Sequence, residues 1–130
     1  MCFKVKENFK TRQQAREYQP KVATKNIRVW KFLEHVYDNG ALKLFSPYYF
    51  MEYKQRKTFT SKLVKSIDRW SSFSPWEIKI NRGLHAYTYN RESTFGYFVY
   101  EMYVPKGALY YTDGKEIVAT ALVFKQLRKR

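Results

Sequence analysis

The sequence predicts an α+β domain: a strongly bent, mixed but mainly antiparallel sheet of about five to seven strands, with one or two short helices. Three observations carry this. Apolar residues alternate with period two over most of the chain beyond residue 26. The aromatic residues are mostly Tyr (12) and Phe (10), whose flat rings suit half-buried strand faces. Asn39-Gly40 and Asp113-Gly114 separate alternating segments, and such pairs accept the positive φ angles of tight hairpins. A chain of 130 residues is the size of one domain with one core. It reads as a basic leader, 1–26, followed by a single domain, 27–130.

The leader carries Lys4, Lys6, Lys10, Arg12, Arg16, Lys21 and Lys25 against Glu7 and Glu17. Thr11 with Gln14 three residues on has capping-box spacing, so a short helix is expected over 12–18, ended by Pro20. With few apolar residues, this leader is expected to pack loosely on the domain. From Ile27, one strand face carries Val29 and Leu33 and the other Trp30 and Phe32. Asp38-Asn39-Gly40 turns the chain, residues 41–45 return, and Ser46-Pro47 interrupts before a further extended stretch at 48–53. Residues 54–76 read as a flexible basic loop with a short helix over 62–70. Strands follow at 76–80, 83–88 and 97–104, with a short helix near 90–94. After the Pro105-Lys106-Gly107 turn come strands 108–111 and 117–124. Val29, Phe32, Leu84, Val99, Met102, Ile117, Ala119, Ala121 and Val123 are the expected buried set.

Charge points to the partner. Lys and Arg number 25 against 11 Asp and Glu, a net charge of +14, more than solubility requires and enough to attract anions at a distance. The expected partner is nucleic acid or another anionic macromolecule. Lys54, Arg56, Lys57, Lys62, Lys65, Arg69, Lys125, Arg128, Lys129 and Arg130 are the expected phosphate contacts, with the leader beside them. Trp70, Trp76, Tyr48 and Tyr49 are the expected stacking rings. No apolar run is long enough for a membrane span, and the opening residues lack a secretory core. With one Cys and no disulfide to form, the expected location is the cytoplasm.

Catalytic chemistry finds little support. Two His and one Cys offer no ligand spacing, so no metal and no cofactor are expected. Gly-x-Ser-x-Gly is absent, and five scattered glycines supply no phosphate loop. One constellation stands out: His85 and Tyr87, with Arg82 and Arg91 nearby, could hydrogen-bond and clamp a nucleotide. The alternative is a half-buried histidine on a strand.

Gly83-Leu84-His85-Ala86-Tyr87-Thr88, Val104-Pro105-Lys106-Gly107-Ala108-Leu109-Tyr110-Tyr111 and Glu116-Ile117-Val118-Ala119 resemble a family of small uncharacterised proteins of Bacteroides-type gut bacteria and their phages. The resemblance covers the last 55 or so residues and implies a phage-type origin, not an activity. More distantly, the same order is similar to the ADP-ribosyltransferase-like fold. That similarity implies a cleft between strands 83–88 and 97–104 lined by His85 and Tyr87, with Arg82 or Arg91 at its edge and Glu116 in place of a catalytic glutamate. No Glu-x-Glu is present here, so the similarity implies a degenerate nucleotide-binding protein acting on host factors. The leading reading is a small basic, phage-encoded protein that binds nucleic acid or a nucleoprotein. A virion structural component is the third; the phage-type resemblance implies the host-cell cytoplasm or the virion as location and a viral or host protein as the alternative partner.

Overall fold

The computed structural model describes residues 3–46, 52–54, 57–90 and 98–124. In chain order the elements are β1 (Phe3–Lys4), α1 (Arg12–Glu17), β2 (Lys21–Val22), β3 (Ile27–Asp38), β4 (Ala41–Phe45), β5 (Glu52–Tyr53), β6 (Thr58–Thr60) and β7 (Val64–Asp68). They continue with β8 (Glu77–Arg82), β9 (Leu84–Tyr87), β10 (Phe98–Val104), β11 (Leu109–Thr112), β12 (Glu116–Ala119) and β13 (Ala121–Val123). Among the described residues, one short helix and a curled antiparallel sheet make this an α+β fold, with more and shorter strands than the periodicity suggested. Arg56, Arg91, Tyr48, Tyr49, the expected helix near 90–94 and the basic tail (Lys125, Arg128, Lys129, Arg130) lie outside the described residues.

The main sheet runs β2-β11-β12-β9-β3-β10-β13-β6, with β4 and β5 extending the far end of β3. Its long strand β3 pairs with β10 from Leu33 opposite Phe98 to Ile27 opposite Val104. β3 then turns back into β4 through Asn39 and Gly40, whose φ angles of 51° and 81° are those of a type I′ turn.

β12 and β13 are joined by Thr120 alone, yet they stand four places apart in the strand order. The sheet therefore curls round on itself. Thr120 makes the corner: its N–H donates to the Leu109 carbonyl, its hydroxyl oxygen accepts from Leu109 N–H, and its carbonyl accepts from Ser61 N–H. The single strand expected over 117–124 is thus two strands with different partners. A continuous apolar run carries no mark of such a break.

Inside the curl lie Val29, Leu33, Leu84, Ala86, Tyr100, Met102, Val104, Ile117, Ala119, Leu122 and Phe124. Of the expected buried set, Val29, Leu84, Val99, Met102, Ile117 and Ala119 are buried, and Phe32, Ala121 and Val123 are half-buried. Exposure of none of them supports the period-two reading.

A second sheet, β1-β8-β7, packs against the outside of the first. Its core joins Phe3, Val5, Ala15, Ile78 and Ile80 to Tyr111 and Val118 of the main sheet. Gly83 links the two layers. A Cβ there would run into Val118 Cγ2 and Leu63 Cδ2, so any side chain at this position would force those neighbours to shift.

Two expectations are corrected here. The leader is not loosely packed: Phe3 pairs with Ile80, Phe9 bridges to Trp76, and β2 pairs with β11. Five of its apolar residues, Phe3, Val5, Phe9, Ala15 and Tyr18, face the second core. The helix does form, with Thr11 Oγ1 accepting from Gln14 N–H and Gln14 Oε1 accepting from Lys10 N–H. The helix expected over 62–70 is instead strand β7, because residues 64–68 pair antiparallel with β8 and Ile67 packs against the second core.

Candidate nucleic-acid interface

β7 and β8 form a hairpin whose loop, residues 69–76, is built from short-range polar contacts. Asp68 Oδ1 accepts from Arg69 N–H at 2.7 Å. Ser74 N–H donates to the Ser71 carbonyl, the two serine hydroxyls meet at 2.9 Å, and Phe73 N–H donates to Ser71 Oγ. These bonds fix a tight serine turn. The turn holds its two large rings out of the protein: Trp70 is 92% exposed and Phe73 98%. Burying either ring would be worth about 1.5–3 kcal/mol, a gain that the fold leaves unused at both.

Behind the turn, Trp76 is half-buried and pinned to the leader by paired backbone bonds with Phe9, 2.7 and 3.0 Å long. Two guanidinium groups lie by its ring, Arg69 at 4.4 Å and Arg12 at 5.8 Å from the centroid. The Phe9 bridge also brings Lys10 alongside. The nearby acids are engaged: Asp68 caps the turn, and Glu77 pairs with Lys4 at 2.9 Å. The result is a cationic and aromatic end of the second sheet, assembled from a leader and a loop 60 residues apart in sequence.

The other expected cations divide. Lys54 and Lys57 are exposed beside β5 and β6 of the main sheet, whereas Lys62 is exposed ahead of β7. Residues 54–69 therefore do not form one basic loop. Lys65 has another role. Its Nζ donates to the carbonyls of Ala15, Arg16 and Tyr18 at 3.0–3.2 Å, satisfying the end of α1. All three of its donors serve the fold, which removes it from the set of phosphate contacts.

The His85 constellation takes a different shape from the expected cleft. β3 lies between β9 and β10, so no gap separates residues 83–88 from 98–104. His85 is half-buried opposite Val118. Burial, and next the Lys31 amine, push its pKa down to about 4, leaving the imidazole neutral at pH 7. Tyr87 stands directly opposite Glu116, with its ring 5.3 Å from that of Phe32 and 6.0 Å from that of Tyr89. Glu116 is half-buried and sits on the same face as His85, one diagonal step away. Arg82 is exposed at the end of β8. His85, Tyr87 and Glu116 thus share one continuous face of the main sheet, whereas Arg82 belongs to the second sheet.

One residue escaped the sequence reading. Lys31 is 4% exposed and points into the curled core between Val29 and Leu33, opposite Tyr100. Its Nζ donates to the His85 carbonyl at 2.6 Å and lies 5.5 Å from the centre of the Tyr53 ring. Among the described residues it has no carboxylate partner, and burial pushes its pKa down to about 7. Burial also raises the pKa of Tyr53 and of Tyr100, whose hydroxyl hydrogen-bonds His35 Nε2. The signal was present: Lys31 has the same strand parity as Val29 and Leu33. Among the described residues no group of acids, His or Cys could hold a metal ion, and no helix is long and apolar enough to cross a membrane.

No family model, curated protein or solved structure matches the chain.

Proposed function

We propose that this protein is a small basic nucleic-acid-binding module whose contact surface is the leader-and-loop end of the second sheet. The observation that carries this reading is the pairing of Arg12 and Arg69 on Trp76 with the outward rings of Trp70 and Phe73. Guanidinium groups bind phosphate in planar, two-pronged fashion, and exposed rings offer faces on which bases stack. A polymer that presents both phosphates and flat apolar bases matches the two chemistries together. The net charge of +14 supplies long-range attraction and a fast encounter.

The nucleotide-cleft alternative has less to stand on, because β3 fills the space it needs. The test of the leading reading is binding to a mixed-sequence DNA or RNA across a salt series. The expected result is an affinity that falls linearly in log–log form, by about 0.7–0.9 per phosphate contact. Replacing Arg12 and Arg69 together by Ala should flatten that slope by about 1–2. Absence of binding at low salt would refute the proposal.

A further inference from the structure

We infer that the 69–76 loop selects single-stranded over double-stranded nucleic acid, with Trp70 and Phe73 each stacking an unpaired base. This rests on the nucleic-acid reading above. Trp70 and Phe73 are three positions apart on one tight turn, and both rings are more than nine-tenths exposed. Rings held out from a hairpin tip in this way have lost their own burial and need a flat apolar partner. Bases in a duplex are already stacked on one another and present only their edges to a loop. Bases in a single strand expose whole faces, and stacking on them is tolerant of sequence.

The surroundings fit the same substrate. Ser71 and Ser72 lie between the rings, and the Ser72 hydroxyl can hydrogen-bond sugars or base edges. Arg69 and Arg12 sit behind them on Trp76, placed to neutralise a backbone that passes between loop and leader. An anionic membrane surface also attracts cations and interfacial rings. Here, though, the two exposed rings are separated by serines and offer no continuous apolar face to bury.

The experiment measures fluorescence anisotropy of a labelled single strand of about twelve nucleotides and of the matching hairpin duplex. Wild type is compared with a Trp70→Ala/Phe73→Ala double variant and with Trp70→Phe/Phe73→Tyr. Anionic phosphatidylserine vesicles form a separate arm, read by Trp emission. Since both side chains are exposed, unchanged melting of the variants serves as the folding control. The expected result is tighter binding of the single strand than of the duplex. The double Ala variant should weaken the single strand by about tenfold or more, the ring-preserving variant should recover it, and neither should alter the duplex. Equal affinity for the two forms, unaffected by ring removal but still salt-dependent, would overturn single-strand selection and leave the nucleic-acid reading standing. Failure to bind either form would overturn both. Trp70-dependent binding to vesicles without binding to nucleic acid would assign the loop to a membrane surface and likewise overturn both.

Discussion

Replacing Lys31 by Met keeps its length and removes its amine, and the outcome depends on pH in a way that burial alone specifies. In the unfolded chain the amine holds its proton up to its ordinary pKa of 10.5, whereas in the fold it does so only up to about 7. Between those values the unfolded chain carries the extra proton. Wild-type stability should therefore rise as pH climbs from 7 toward 10.5 and, as far as this group is concerned, stay level below 7. With about 1.4 kcal/mol for each pKa unit, the gain from pH 7 to pH 9 is about 2 kcal/mol. Met has no such dependence. At pH 7 it also escapes the cost of burying an amine, offset by about 1 kcal/mol for the bond lost at the His85 carbonyl. Urea unfolding of both proteins at pH 7 and pH 9 reads the effect directly. K31M should be the more stable protein at pH 7, and its advantage should shrink by about 2 kcal/mol at pH 9. An advantage that is equal at the two pH values would refute the reasoning, as it would mean that the amine reaches water.

Four further substitutions probe the frame that presents the loop. Gly83→Ala forces a Cβ into Val118 and Leu63 and should cost about 1–3 kcal/mol in chemical denaturation. Phe3→Ala opens the second core and should cost about 3–5 kcal/mol, whereas a loosely attached leader would give almost no change. Lys65→Met strips three carbonyls at the end of α1 of their donor. It should speed hydrogen exchange in α1 well before global unfolding, at a cost of about 1–3 kcal/mol. Gly40→Ala places a side chain at φ 81° and should lower stability by about 1 kcal/mol, visible as a few degrees in Tm.

Much of the frame was legible because it is written locally. Asn39-Gly40 announces its turn, Thr11 its helix, and the parity of β3 and β10 their faces. What escaped depends on distant partners. The leader reads as polar because its apolar residues are few and scattered, and the common partner of Phe3, Val5, Phe9, Ala15 and Tyr18 is a sheet about 70 residues further on. The break at Thr120 is invisible in an apolar run, since what divides it is hydrogen bonding to Leu109 and Ser61. Residues 62–70 looked helical and basic because the strand that covers their inner face, β8, comes later in the chain. At the site, Trp70 and Arg69 were named from sequence as ring and cation. Arg12 entered only as part of the leader. Lys31 was missed because a lysine between Trp30 and Phe32 reads as an outward residue until the parity is taken literally.

Ultraviolet crosslinking of a bound single strand, followed by mass mapping of the attached peptides, places the contact surface most directly. Crosslinks at Trp70 and Phe73, with protection of Arg12 and Arg69 from guanidinium-specific modification, are the result expected if the leader-and-loop end of the second sheet holds nucleic acid. Crosslinks confined to the Tyr87 and Glu116 face of the main sheet, with the 69–76 loop unmodified and Arg12 and Arg69 still reactive, would contradict it.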